Sequence, residues 1–109
     1  MTEKIKLIKK YNNQFTIEQL MELGLSQYSA KAYYALCGYD SLSAGDLAIV
    51  SGIPQSKIYE VARRLVYEGI VEEIITAKHI SWKVMPINIF VEKKVRELTE
   101  TIKFLQGIK

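Results

Sequence analysis

The stretch from Ser43 to Gly69, SAGDLAIVSGIPQSKIYEVARRLVYEG, constrains the fold of this chain more than any other. It contains two short helical patterns joined by a Gly-Ile-Pro segment, which is typical of a tight turn. Ser43 is a candidate N-cap, with Asp46 in the first turn where its carboxylate suits the positive helix end. Gly52 predicts the end of the first helix, and Pro54 presets the first turn of the second. The pattern predicts a helix-turn-helix, a unit that can place its second helix in the DNA major groove.

The length and charge of the chain indicate one small domain. The 109 residues are 49% hydrophobic and 25% charged, as in a folded globular protein. The net charge is +3, and residues 1–13 carry the whole excess through four lysines and one glutamate. We assign residues 1–15 to a basic N-terminal arm, with a poorly ordered end, a short strand or a helix as alternatives. So small a core would gain buried area from a dimer.

The residue inventory argues against an enzyme or a metal site. Cys37 is the single cysteine and His79 the single histidine, so no intrachain disulfide, thiolate metal site or two-histidine pair is available. Glu72 and Glu73 are adjacent, and on a strand they face opposite sides, so we predict a solvated strand edge. We expect no catalytic residues, no metal, no cofactor and no identifiable small-molecule effector. With no apolar run near ~18 residues and no secretory signal, we expect a cytoplasmic protein that does not enter a membrane.

Two further helices are predicted before the helix-turn-helix. Thr16 and Gln19 form a capping box that begins a helix of about two turns, and Gly24 ends it. Ser26 caps a second helix, which runs to about Gly38 with an apolar face at helical spacing. A turn is expected over residues 39–42.

A β-hairpin is predicted directly after the helix pair. Ile70–Ile75 and Ile80–Met85 are rich in β-branched and aromatic residues, and four small or polar residues separate them. No Gly, Asn or Pro marks the turn between them. Trp82 is expected to pack under the sheet. The expected fold is therefore mainly α with a small β-hairpin, a winged helix-turn-helix domain over residues 16–86.

The segment over residues 87–109 predicts a C-terminal coiled-coil helix for dimerisation, opened by Pro86. Its apolar residues recur with steps of 4, 3, 4 and 3, the spacing of a heptad seam: Val91, Val95, Leu98, Ile102 and Leu105. The seam has fewer than three heptads, so packing of the helix on its own domain is the alternative. A helix of about 20 residues is ~30 Å long, more than so small a domain covers, so we predict a homodimer in either helix orientation.

The outward face of the second helix of the pair supplies candidate DNA contacts. The residues expected to read base edges are Gln55, Ser56, Tyr59 and Arg63. Those expected to contact phosphates are Ser43, Lys57, Arg64, Lys78, His79 and Lys83. A plain solvated helix face and an exposed turn are the alternatives. Glu60 is expected either to pair with Arg64 at i,i+4 or to accept a hydrogen bond from a cytosine amino group.

Three segments, LGLSQYSAKAYYAL, SGIPQSKIYEVARRLVYEGIVE and WKVMP, resemble the DNA-binding domain of the TrmB family of transcriptional regulators. The matching positions are Leu23–Leu25, Tyr28, Ala30, Tyr33, Leu36, Ser51–Pro54, Ser56–Glu60, Leu65, Gly69, Val71, Val84 and Pro86. The resemblance covers about residues 20–90, and the SGIPxSKIYE string is its most specific part. It implies a winged-helix, DNA-binding dimer.

Three departures from the family pattern limit what the resemblance implies. Ser29 stands where the family usually has glutamate, which removes half of a capping box. The wing lacks the usual Gly-Arg-Pro type of turn, so a long DNA-reaching wing is not expected. Larger members have a C-terminal sugar-binding domain, and because only a helix follows the wing here, sugar sensing is not expected.

We therefore predict sequence-specific binding of double-stranded DNA by a homodimer that regulates transcription. The helix over residues 54–68 is expected to enter the major groove. Two alternatives stay open: a winged helix used for protein–protein contacts, and a chromatin-type DNA binder with little sequence preference.

Overall fold

A computed structural model describes residues 14–108, so most of the predicted basic arm lies outside the described residues. Within that range the chain forms helices α1 (Ile17–Glu22), α2 (Gln27–Leu36), α3 (Ala44–Ser51), α4 (Gln55–Tyr67) and α5 (Ile87–Gln106), and strands β1 (Leu42–Ser43), β2 (Val71–Ile75) and β3 (Ile80–Val84). The fold is mostly helical with a small antiparallel sheet, which confirms the expected fold class.

Side-chain caps start the first two helices as the sequence predicts. Thr16 Oγ1 accepts a hydrogen bond from the Gln19 N–H at 3.1 Å, while Gln19 Oε1 accepts from the Thr16 N–H at 3.0 Å. At the start of α2, Ser26 Oγ accepts from the Ser29 N–H at 3.2 Å. The N-cap bond of α2 therefore survives without the family's usual glutamate at position 29. The helix ends at Leu36, slightly before the predicted end.

The turn between α3 and α4 is set by Ser51 and Gly52. Gly52 has φ of 76° and donates its N–H to the Ala48 carbonyl at 2.9 Å, the left-handed helix end that the sequence predicts. Ser51 Oγ donates to the Leu47 carbonyl at 2.6 Å and accepts from the Ile53 N–H at 3.2 Å. These bonds fix the angle at which α4 leaves α3.

The sheet has three strands in the order β1-β3-β2, whereas the sequence predicts only a hairpin. In β1, Leu42 pairs with Trp82 and Ser43 pairs with Ser81. The predicted turn over residues 39–42 is therefore wrong at Leu42. Two residues are too short for the alternating pattern that reveals a strand, so only the pairing with β3 defines β1.

The hairpin turn is held by one threonine hydroxyl rather than by glycine. Thr76 Oγ1 accepts from the backbone N–H groups of Lys78 at 3.3 Å and His79 at 3.2 Å. The backbone adds a bond from the Thr76 N–H to the His79 carbonyl at 3.0 Å. Threonine can supply such local bonds in a turn, which explains how β2 and β3 pair without Gly or Asn between them.

The core lies between the sheet and helices α1 to α4. The largest fully buried side chains are Trp82, Tyr33, Phe90, Leu36, Leu42, Leu47, Ile58, Leu65 and Ile70. The predicted inward stripe of α4 is confirmed, because Ile58, Val61, Ala62 and Leu65 are all at most 7% exposed. Burial of this stripe by the remaining helices gives α4 one fixed orientation.

Among residues 14–108, helix α5 contacts the rest of the domain through about its first two turns. Phe90 is 1% exposed, and its ring meets the edge of the Tyr33 ring at 5.3 Å. Lys93 Nζ donates to the Glu68 carbonyl at 2.8 Å. From Val95 to Ile108 every residue is exposed, so the last turns of α5 extend away from the described domain.

Candidate nucleic-acid interface

The N-terminal half of α4 presents an exposed polar face. Gln55, Ser56, Lys57 and Tyr59 are exposed, while Ile58 between them is fully buried. Pro54 occupies the N-cap position, one residue before the predicted place, and has no side-chain group that could cap the helix. The Lys57 N–H donates to the Pro54 carbonyl at 2.9 Å, so an anion such as a phosphate would meet the N–H groups of Gln55 and Ser56.

The Tyr59 ring is held in place by packing against Trp82. Its ring packs edge-on against Trp82 at 5.5 Å between centroids, and its side chain is 46% exposed. Trp82 is fully buried under the sheet, as the sequence predicts. This packing gives Tyr59 a defined direction on the outward face of α4.

Arg63 leans towards the sheet and not straight outwards. Its Nε lies 3.3 Å from Glu73 Oε1 on β2, and its guanidinium carbon lies 5.5 Å from the Tyr59 ring centroid. Glu73 also accepts a hydrogen bond from the Trp82 indole N–H at 2.9 Å. We call Arg63, Glu73 and Trp82 the wing clamp. It joins α4 to the hairpin, and base reading by Arg63 would require its guanidinium to leave Glu73.

The predicted solvated edge is wrong for Glu73 and right for Glu72. Glu73 has 18% of its side chain exposed and holds two donors, whereas Glu72 is exposed. Sequence reasoning missed the clamp because it depends on the register in which Glu73 faces Trp82 across β2 and β3. A tryptophan and an acid in neighbouring predicted strands were the available signal.

The residues around α4 that are predicted to contact phosphates differ in whether their side chains already bond to other groups of the chain. Arg64 pairs with Glu68 at 3.3 Å and not with Glu60, and remains 69% exposed. Lys57 is exposed on the same helix. The Ser43 hydroxyl accepts from the Asp46 N–H at 3.4 Å and is half-buried, so it serves the start of α3.

The three candidates on the hairpin occupy two places. Lys78 and His79 are exposed in the turn that Thr76 organises. Lys83 is exposed on β3 and faces Glu72 across the ladder. The structure therefore exposes Gln55, Ser56 and Tyr59 at the start of α4, with Lys57 on the flank that also carries Arg64, and it places the wing cations on a separate element.

The part of the chain that the structure describes contains neither a metal-ligand cluster nor a membrane-spanning helix. Among residues 14–108 no three His, Cys, Asp or Glu side chains come together as metal ligands. In the same range no helix is long and apolar enough to span a membrane.

Helices α1 to α4 followed by a β2–β3 hairpin that packs beside α4 define a winged-helix domain. The chain belongs to the TrmB family, since the family model described as sugar-specific transcriptional regulator TrmB matches residues 20–86. The winged-helix fold and the family are those of DNA-binding transcriptional regulators.

Relatives of known structure or sequence cover the winged domain. TrmBL2, described as an archaeal chromatin protein with a novel mode of DNA binding, is 28% identical with a TM-score of 0.74, over 83% of this chain and 36% of its own. The uncharacterized protein YrhO of Bacillus subtilis is 42% identical over 53 residues, which are 49% of this chain and 19% of YrhO. A MarR-family regulator from Silicibacter pomeroyi shares the fold at 22% identity, with a TM-score of 0.59 over 84% of this chain and 65% of its own. The chain thus spans well under half the length of TrmBL2 and of YrhO.

Proposed function

We propose that this chain binds double-stranded DNA as a homodimer and regulates transcription, with α4 of each copy in a major groove. The observation that carries the proposal is the exposed N-terminal half of α4. Gln55, Ser56 and Tyr59 stand there on a helix whose opposite face is fully buried. Side chains at this end of such a helix reach base edges in helix-turn-helix proteins.

The exposed heptad seam of α5 supports the dimer. Its five apolar residues are between 45% and 58% exposed: Val91, Val95, Leu98, Ile102 and Leu105. A second copy of the same seam would cover them, as in a two-stranded coiled coil with β-branched residues at the a positions. Two α4 helices would then contact successive major grooves of a roughly two-fold site.

A balanced charge favours a second candidate, a winged helix that contacts protein. Residues 43–69 hold three basic and three acidic side chains, and both arginines of α4 pair with glutamates. The relation to TrmBL2, a chromatin protein, favours a third candidate, DNA binding with little sequence preference.

Fluorescence anisotropy of labelled duplexes over a range of salt concentrations separates these candidates. Lys57→Ala should weaken binding to every duplex by about three- to tenfold and lower the salt slope by about one. Arg63→Ala should change the preference among duplexes. Lys103→Ala removes the same charge from exposed α5 and should bind like the parent.

The contrary outcomes are distinct. If Lys57→Ala and Arg63→Ala both bind duplexes like the parent at every salt concentration, α4 is not the contact face. If the parent binds no duplex at micromolar concentration in low salt, the protein-contact candidate replaces DNA binding. Equal affinity for all duplexes in competition selects the chromatin-type candidate.

A further inference from the structure

Helix α5 meets the winged domain along one side of its first two turns. Phe90 is buried and Lys93 and Lys94 are half-buried, whereas the other residues of α5 are exposed. Residues three and four positions apart lie on the same side of a helix, so these three side chains form one contact face. With Val95 at a and Val91 at d of the heptad, Lys93 takes position f, on the side opposite the seam. A change at Lys93 therefore alters the face towards the domain and leaves the seam intact.

The ammonium group of Lys93 binds the C-terminal end of α4. Its Nζ donates to the carbonyl of Glu68, the C-cap residue of α4, at 2.8 Å in a partly buried position. The last carbonyls of a helix lack partners within the helix, and they carry the negative end of its dipole. A lysine ammonium is a favourable partner for such a carbonyl. Lys93 thus connects α5 directly to the helix that we propose to read DNA.

A carboxylate of α5 orients this ammonium group and that of the next residue. Glu97 Oε2 lies 3.8 Å from Lys93 Nζ, and Glu97 Oε1 lies 3.2 Å from Lys94 Nζ. Lys94 extends to the loop between α1 and α2, where a Cβ added to Gly24 would lie 3.1 Å from Lys94 Nζ. The two lysines thus contact the domain at two places, and of the two it is Lys93 that bonds to α4.

A small shift at Lys93 would be enlarged along α5. At about 1.5 Å per residue, Lys93 lies about 4.5 Å along the helix axis from Phe90, and Gln106 at the end of α5 lies about 24 Å from it. If α5 pivots about the buried Phe90, a shift of about 0.5 Å at Lys93 moves the far end by roughly 2–3 Å. Base contacts tolerate displacements of only about 0.5 Å. The contact at Lys93 therefore governs the direction of α5 relative to α4.

We propose that Lys93 is a positioning residue for DNA binding. Its bond to the Glu68 carbonyl sets the angle between α4 and α5, and so the spacing of the two α4 helices in a homodimer. The spacing half rests on the proposed function. In this role Lys93 acts through α4 and needs no contact with DNA. A chain without the bond would fold and dimerise, but its two α4 helices would adopt more than one spacing.

The angle is measured in the full chain from residual dipolar couplings of the backbone N–H groups. In the parent, the couplings of the winged domain and of α5 should fit one alignment tensor. Lys93→Met keeps the aliphatic part of the side chain without the ammonium group, and its combined fit should be at least about twofold worse. Lys93→Arg restores an N–H donor and Lys103→Met removes the same charge from exposed α5, so both should fit one tensor like the parent.

Three results would overturn the role of Lys93 in setting the angle. They are a parent that itself needs two tensors, a Lys93→Met protein that fits one tensor as well as the parent, and an equal change in Lys103→Met. The last result would make the loss of charge alone the cause. Should circular dichroism show that Lys93→Met does not fold, Lys93→Gln, which is neutral and one atom shorter, is compared in its place.

The spacing is tested with duplexes that carry one extra base pair at the centre of a two-fold site that the parent protects. The insertion should weaken binding by the parent and by Lys103→Met about tenfold or more, but binding by Lys93→Met about threefold or less. An equal penalty in all three proteins overturns the spacing role, even if Lys93→Met binds both duplexes more weakly. If the parent binds no duplex, the proposed function fails, and the dipolar couplings still decide whether Lys93 sets the angle.

Discussion

Helices α4 and α5 both carry a regular apolar stripe, but within residues 14–108 only the stripe of α4 is covered. Ile58 and Leu65 of α4 are completely buried, whereas Leu98 and Leu105 of α5 are each 58% exposed. The two stripes have similar chemistry, so the difference lies in what surrounds them. The stripe of α4 is explained by packing within the described domain, and we propose that a second copy of the chain covers the stripe of α5.

The same contrast assigns the two proposed functions, DNA recognition and dimerisation, to different helices. The buried stripe of α4 holds its polar face rigid, which a reader of DNA requires, because side chains must meet base edges in a fixed geometry. The exposed stripe of α5 begins after Phe90, the last side chain of α5 that the domain buries. DNA recognition by α4 and dimerisation through α5 would therefore depend on separate surfaces, and each surface could be mutated without changing the other.

The largest effect is expected from an acid placed in the α5 seam. Leu98→Asp should weaken the homodimer about a thousandfold, since each copy would bury an uncompensated charge. Phe104→Asp is the matched control, because Phe104 is 70% exposed and lies off the heptad seam. Sedimentation equilibrium measures both. Equal dimer constants for the two variants would show that the seam is not the interface.

A truncation in the covered stripe should have the next largest effect. Leu65→Ala should lower the free energy of unfolding by about 3 kcal/mol, the cost of a cavity in a packed core. Because that stripe is covered within one chain, the loss should not depend on protein concentration. Leu98→Ala should instead shift the melting temperature more at low concentration than at high. Denaturant and thermal unfolding at two concentrations compare them, and a concentration-dependent loss in Leu65→Ala would break the contrast.

Release of the wing clamp should have a smaller effect, which should appear in the affinity for duplex DNA. Glu73→Gln keeps an oxygen for the Trp82 indole but removes the charge that holds Arg63. Duplex affinity should rise about fivefold, because one negative charge leaves the surface and Arg63 becomes available to DNA. Glu72→Gln makes the same charge change one residue away, without the Arg63 contact. If both variants gain equally, net charge rather than the clamp accounts for the effect.

The smallest effect is expected at alkaline pH, where ionisation of the Cys37 thiol should lower the thermal stability of the folded chain. Burial raises the pKa of Cys37 from its ordinary 9.0 to about 12 in the folded chain. The neutral thiol thus favours the folded state fully below pH 9, and this contribution is lost as the pH rises towards 12. Between these pH values the melting temperature of the parent should fall a few degrees more than that of Cys37→Ala. Parallel curves would mean that the thiol is not buried.

Local signals predicted most of the fold. The capping oxygens of Thr16 and Ser26 and the left-handed Gly52 are short-range features, and the structure has each of them. The helical stripe of α4 was likewise readable, because its period needs no knowledge of the rest of the chain. Strand β1 could not be predicted, because two residues are too few to show a period. Its assignment as a strand depends on its pairing with β3.

The candidate site was readable only in part. The exposed positions of α4 follow from its buried stripe, so Gln55, Ser56 and Tyr59 could be identified from spacing alone. The partners of the charges could not be identified in this way. Arg63 meets Glu73 across ten residues, and Arg64 takes Glu68 rather than Glu60, choices that depend on register and side-chain geometry.

Hydroxyl-radical footprinting on a genomic fragment that the chain retards tests the central claim most directly. A dimer with one α4 per major groove should protect two clusters on one face of the duplex, about 10 to 11 base pairs apart, with two-fold symmetry. Leu98→Asp should lose both clusters together at the same concentration. A single protected cluster, or two clusters that persist in Leu98→Asp, would contradict the account.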